Sequence, residues 1–273
     1  MHALLEPFQF SFMVRALIVS AAVGIVAPVM GSYVVSRGLA LMGDALSHAV
    51  LPGIVVAVLL GLSPVVGTIP VAILMALLIG FLSRHTGFSE DTTIGILFVG
   101  LFALGLAMLS VSRGLPVRLE DILLGQVLGV NWRDVWVTLG LGILSLLLLY
   151  SFHKELVFAT FDPVGAKVAG LRTGLLDNLL LAVLALVIVV ALQAVGIILV
   201  LAMLIVPAAT ARLLVRRFAP SMLAGALLGV ITAVVGLYVS FYANLPSGPA
   251  MTLVAVGLFV IAVVVRRRLA WKR

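Results

Sequence analysis

Cysteine is absent from this 273-residue chain. Its absence excludes thiolate metal sites, a disulfide framework and iron–sulfur ligation. Charge is also scarce: 10% of the residues are Asp, Glu, Lys or Arg, against roughly 25% in an ordinary soluble domain. Catalytic signatures are missing too. There is no GxxxxGK[ST] phosphate loop, because the nearest run, Gly38 to Gly43, is followed by Asp44 where the lysine would stand. There is no HExxH and no GxSxG. The chain by itself is expected neither to hydrolyse ATP nor to cleave a substrate, and no intrinsic cofactor is expected. Its four histidines, His2, His48, His85 and His153, are scattered, and only His48 sits inside an apolar run. A haem protein would need more of them there.

Apolar residues make up 64% of the chain, and the mean hydropathy is +1.35. A chain this apolar cannot cover itself with polar surface in water, so its solvent is lipid. Runs long enough to cross a bilayer occur at residues 12–35, 39–62, 65–82, 93–111, 135–152, 179–192, 195–214, 222–242 and 251–265. A crossing helix needs about 20 residues, and several of these are short of that. The stretch 179–214 also carries a break at Gln193, Ala194 and Gly196. The expectation is an all-α polytopic transmembrane bundle of eight or nine spans, a single transmembrane domain over residues 1–273. The first apolar run has only Arg15 as a flanking cation and exceeds a signal peptide's apolar core, so it reads as a retained span.

The formal net charge is +7. The cations fall in clusters between the apolar runs, with no interleaved aromatic platform for nucleic acid, so no nucleic-acid partner is expected. Such clusters mark cytoplasmic loops. Arg266, Arg267, Arg268, Lys272 and Arg273 make a cytoplasmic C-terminus the expectation, with Arg212–Arg217 and Arg84 also inside, and residues 153–178 inside if 179–214 crosses twice. Residues 112–134, with Arg113, Arg118, Glu120, Asp121 and Arg133, are expected outside, with a short interfacial helix at 121–130. Residues 163–171 form a short amphipathic stretch on the cytoplasmic connection.

Asp44 and His48 are the only ionisable side chains between residues 39 and 82. Charge inside a span is costly and marks a functional site by default. Their i, i+4 spacing puts them on one helical face, about 6 Å apart at Cβ. Carboxylate oxygen with neutral imidazole nitrogen suits manganese, iron(II) or zinc. The competing reading is an Asp–His hydrogen bond that neutralises both groups and ties two helices. Pro52 and Gly53 follow, a pair able to bend the helix and free backbone carbonyls at that depth. Elsewhere the structural readings lead. Glu90 and Asp91 read as helix-capping carboxylates. Gly225 with Gly229, and Gly125 with Gly129, read as close packing within one chain. Pro207 with Ala208, Ala209 and Thr210 reads as a small-residue face with a kink.

The block RGLALMGDALSHAVLPG (residues 37–53) resembles the manganese/zinc/iron permease family of ABC importers. So do MHALLEPFQFSFMVRAL at the start, SEDTTIGILFVGLFALGLAMLS (89–110), FDPVGAKVAGL (161–171), QAVGIILVLAMLIVPAATARLL (193–214) and LPSGP (245–249). These blocks occur in the family's order and cover nearly the whole chain. The resemblance implies a multi-pass permease of the bacterial inner membrane. It would work with a second copy of itself, a cytoplasmic ABC ATPase and an extracytoplasmic metal-binding protein. It implies that Asp44 and His48 line or gate the metal path. It also makes residues 161–172 a cytoplasmic coupling segment for the ATPase, with Asp162, Pro163, Gly165, Ala166 and Gly170 as its motif positions. The AVLPG of residues 49–53 is more similar to the manganese/iron branch, so the expected cargo is Mn2+, then Fe2+, then Zn2+. The alternatives are a proton-coupled secondary metal transporter, with Asp44 and His48 as a proton relay, and a non-transporting membrane scaffold.

Overall fold

The computed structural model describes residues 6–112 and 129–270. Among them, every regular element is helical. A short 3-10 turn (Glu6–Gln9) precedes α1 (Ser11–Arg37), α2 (Ala40–Ala49), α3 (Leu51–Leu59), α4 (Pro64–Thr86) and α5 (Glu90–Val111). Then follow α6 (Trp132–Ser151), α7 (His153–Phe161), α8 (Pro163–Val168), α9 (Thr173–Val195), α10 (Ile197–Leu214), α11 (Phe218–Ala243) and α12 (Ser247–Ala270). Among the described residues, eight helical stretches are long and apolar enough to cross a bilayer, α2 and α3 together forming one of them, and α10 adds a shorter apolar helix. The expected eight or nine spans are therefore present. The interfacial helix expected at 121–130 falls almost wholly outside the described residues. So do His2, Arg113, Arg118, Glu120, Asp121, Gly125, Lys272 and Arg273.

Local chemistry sets the boundaries. Gly196, at φ +79°, separates α9 from α10, in a backbone region that only glycine enters freely. This is the break expected between Gln193 and Gly196. The span at 40–59 is interrupted at Val50, two residues before Pro52. Proline has no N–H, so the His48 carbonyl loses the donor that residue 52 would have supplied. The discontinuity therefore opens upstream of the proline and not at the Pro52–Gly53 pair. At the start of α5 the cap is Ser89, whose hydroxyl accepts the Thr92 N–H at 3.2 Å. The carboxylates that sequence nominates for that role are at Glu90 and Asp91, within the first turn, where they favour the helix dipole. Asn131 and Asp134 exchange reciprocal side-chain to backbone hydrogen bonds of 3.1 Å at the start of α6.

The helices group into two compact units. One comprises Met1–Val35, Leu119–Ile143 and Val190–Arg273. In it α10, α11 and α12 pack on one another, and α1 crosses α10 and α11 at glycines. A methyl on Gly31 would collide with the Leu204 carbonyl oxygen, and one on Gly229 with the Gly24 carbonyl oxygen. Small residues let backbones meet where lipid removes the hydrophobic drive between helices. The Gly225–Gly229 pair thus serves packing within the chain, as expected. Arg15 Nε donates to the Val130 carbonyl at 2.7 Å, holding the approach to α6 against α1.

The other unit comprises Ser36–Arg118 and Leu144–Val189. Here α2 and α3 pack on α5, and α3 pairs with α4. Gly53 and Gly67 meet backbone to backbone, so that a methyl on either would strike the other's carbonyl oxygen. Gly53→Ala is therefore expected to destabilise the fold by about 1–3 kcal/mol through overpacking, seen as a lower melting temperature in detergent. Gly95→Ala, where an added methyl meets nothing within 4 Å, should not lower the melting temperature and should raise stability by about 0.4–1 kcal/mol.

Candidate functional site

The α1–α2 junction delivers the first candidate site. α1 ends at Arg37, Gly38 turns the chain at φ +73°, and α2 starts at Ala40. Asp44 and His48 then share one face of α2, with Asp44 Oδ1 3.5 Å from His48 Nε2. That separation is too long for a strong hydrogen bond, so the two groups are juxtaposed without satisfying one another. Their side chains are 46% and 22% exposed respectively. A carboxylate turned to acyl chains is unfavourable even about one turn inside a span. This face of α2 therefore belongs against something polar: water, a cation or another protein surface.

His48 is held by aromatic packing. Its ring meets Phe102 edge to face, with centroids 5.4 Å apart, and lies 5.9 Å from Phe98. Phe98 and Phe102 stack at 5.8 Å, one turn apart on α5. The two rings of α5 pack against the imidazole. Sequence reasoning missed this pair. The only available signal was an i, i+4 aromatic repeat on the span that begins at Thr93. Among the described residues no cluster of three or more His, Cys, Asp or Glu could hold a metal. Asp44 and His48 therefore stand as a pair of candidate ligands, with no third such side chain beside them among the described residues.

The second candidate, the connection around α8, is a corner. α8 is capped by Asp162, whose carboxylate accepts the Gly165 N–H at 2.8 Å. Pro163 is at its first position, where a missing N–H costs nothing. Gly170, at φ +86°, follows its end. Gly165 is small for a local reason: a Cβ there would displace the Asp162 carboxylate. Ala166 is fully buried and seats α8 on its own chain. The outward side chains are Val164, 72% exposed, and Val168, 84% exposed, with Lys167 between them also exposed. The motif's small residues thus shape the corner, and the apolar surface comes from two valines that sequence reasoning did not single out.

The comparisons with known proteins concern the chain as a whole. A family model described as the ABC 3 transport family matches residues 9–266. The chain belongs to the ABC 3 transport family. Two of its relatives are named for metal transport. It is 45% identical over 254 residues to the manganese transport system membrane protein MntC of Halalkalibacterium halodurans, covering 93% of this chain and 87% of that protein. It is 39% identical over 259 residues to the chelated iron transport system membrane protein YfeD of Yersinia pestis, covering 95% of this chain and 87% of the other. Among solved structures it is similar to PsaBC from Streptococcus pneumoniae in complex with Fab, with 36% identity, 99% coverage of both chains and a TM-score of 0.87. The ABC 3 fold therefore extends over the whole permease, and both candidate sites lie within it.

Proposed function

We propose that this ABC 3 permease moves a divalent transition metal into the cytoplasm, manganese first and iron or zinc after it, along a path that Asp44 and His48 line. The observation that carries the reading is the half-exposed Asp44 carboxylate on an apolar span, beside an imidazole it does not satisfy. A passing dication offsets the desolvation of that carboxylate, and neutral His48 contributes nitrogen. A conduit must bind weakly enough to release, and two protein ligands per copy meet that need better than a closed cage. Ligand type does not set the order of metals, because an Asp/His pair binds zinc more tightly than manganese. The order rests on the AVLPG block and on the manganese and iron systems among the relatives.

The exposed α2 face also supports a second copy as partner, which would double the ligand set and cover Asp44 from lipid. Energy comes from a separate ABC ATPase docking on α8, and metal arrives from an extracytoplasmic binding protein. Family membership sets aside the proton-coupled carrier and the scaffold. The test is radiolabelled manganese uptake into proteoliposomes holding the permease, with and without its ATPase and ATP. Uptake only with both is expected; ATP-independent, pH-gradient-driven uptake would overturn the reading.

We read the end of the second unit that carries Arg84, Lys167 and Arg172 as cytoplasmic. Arg84 on α4 donates to the Gly174 carbonyl and to Asn178 Oδ1, both on α9, at 2.9 Å, which places the cations of two connections at one end. Cations favour the cytoplasmic side, and the exposed Arg266, Arg267 and Arg268 of α12 support the same side for the C-terminus. A reporter fused after Arg273 is expected to be active when it requires the cytoplasm and silent when it requires the periplasm. The opposite pattern would invert the topology.

A further inference from the structure

Arg37 reaches both flanks of α8. It is the last residue of α1, and its Nε donates to Thr160 Oγ1 at 3.0 Å. Its Nη1 pairs with Asp177 Oδ1 at 2.7 Å. Thr160 is the penultimate residue of α7, two positions before the Asp162 cap of α8, and Asp177 lies one turn into α9. One guanidinium therefore bridges the segment that enters α8 and the helix that leaves it. On its other side Arg37 is followed by Gly38 and Leu39 and then by α2. Asp44 and His48 stand about 6 and 12 Å along that helix from its first residue, at 1.5 Å per residue.

The joint is built to transmit. Arg37 is only 13% exposed and Asp177 34%, so the pair is shielded and stronger than a surface ion pair. The planar fork fixes direction as well as distance. Arg37 Nη2 is buried and has no hydrogen-bond partner among the described residues, which leaves one donor in hand as the flanks shift. The turn at Gly38 is open, since an added methyl there meets nothing within 4 Å. Arg84 makes an informative contrast. It holds the same end of α9, through Gly174 and Asn178, but it sits on α4 and does not run into the helix that carries Asp44.

From this geometry we infer that Arg37 is a positioning residue, a latch that carries displacement of α8 through the Gly38 turn to the Asp44–His48 face of α2. The inference rests on the reading of α8 as the ATPase contact and of Asp44 and His48 as the metal path. Its test uses the full permease reconstituted with its ATPase, reading manganese moved per ATP hydrolysed, ATPase co-purification and melting temperature on each sample. Thr160→Val cuts one arm and Asp177→Asn the other. Arg37→Gln with Asp177→Asn removes both charges together, so that no buried cation is left uncompensated. Each is expected to keep the ATPase bound and hydrolysis within about twofold, while manganese moved per ATP falls about tenfold, a loss of some 1.4 kcal/mol in coupling. Arg84→Gln, which loosens α9 without touching α1, is expected to keep its transport ratio within about twofold.

Unchanged manganese per ATP in both Thr160→Val and the double variant would overturn the latch. An equal loss in Arg84→Gln would also overturn it, since general loosening of α9 would then explain the effect. So would losses that track melting temperature in every variant. The underlying reading has its own control in the unaltered permease. If that protein moves no manganese on ATP, the importer assignment falls and takes the latch with it. If it imports and all the variants import equally, the latch alone falls.

Discussion

Asp44→Asn and His48→Ala are each expected to lower metal uptake about a hundredfold or more while the permease still folds and binds its ATPase. The magnitude follows from the charge removed. Two unit charges 4 Å apart interact by about 4 kcal/mol at the effective dielectric near a protein surface, and a dication gains more. Asn keeps the shape and hydrogen-bonding capacity of Asp, so Asp44→Asn isolates charge. His48→Ala is less clean, because the imidazole fills space against Phe98 and Phe102; His48→Leu retains apolar bulk and removes only nitrogen. If the pair were a structural tie between two groups, these changes would lower the melting temperature and spare uptake per folded complex. The 3.5 Å separation already leaves little hydrogen bond to lose. Manganese uptake and melting temperature measured on the same purified samples separate the two outcomes. Full uptake in Asp44→Asn at normal stability would remove Asp44 from the path.

What was readable in the sequence was local. Apolar runs, glycine breaks and the i, i+4 pair depend on neighbours within a few residues, and each appears where expected, including the break at Gly196. Helix ends were harder to read. α9 starts at Thr173, six residues before the apolar run, because TGLLDN is helical though polar on one side, and hydropathy sees only the lipid-facing length. The connection 153–178 shows one amphipathic stretch in the sequence, yet it holds α7, α8 and the first turns of α9. Partners distant in sequence were not legible at all. Nothing in the residues around Arg37 indicates Thr160 or Asp177, and nothing around His48 indicates Phe102. Those pairings exist only once the helices have packed. Small residues were legible as special but not as to which way they face. Ala166 invites a partner on paper and is buried in the fold.

That inward turn changes which substitutions can test the ATPase contact. A charge at Ala166 would be forced into the interior of the corner, and a side chain at Gly165 would evict the Asp162 cap, so loss of function in either would report damage to α8 itself. Val164 and Val168 are free of that ambiguity. They are largely exposed in the isolated permease, so exchanging them removes almost no packing, and surface substitutions of this kind usually change stability by less than about 0.5 kcal/mol. If α8 docks on an ATPase, the same two side chains become buried. Their apolar surface is then worth about 1.5–3 kcal/mol each on full burial, and a carboxylate in their place would bring an unpaired charge into the contact. Val164→Glu and Val168→Glu are therefore expected to keep the permease's melting temperature, to lose ATPase co-purification, and to reduce ATP-driven manganese uptake at least about tenfold. Val164→Leu, which keeps the apolar surface, should retain both. Normal ATPase binding and transport in the Val164→Glu, Val168→Glu double variant would show that the ATPase docks somewhere other than α8, and Arg37 would then have no moving partner to follow.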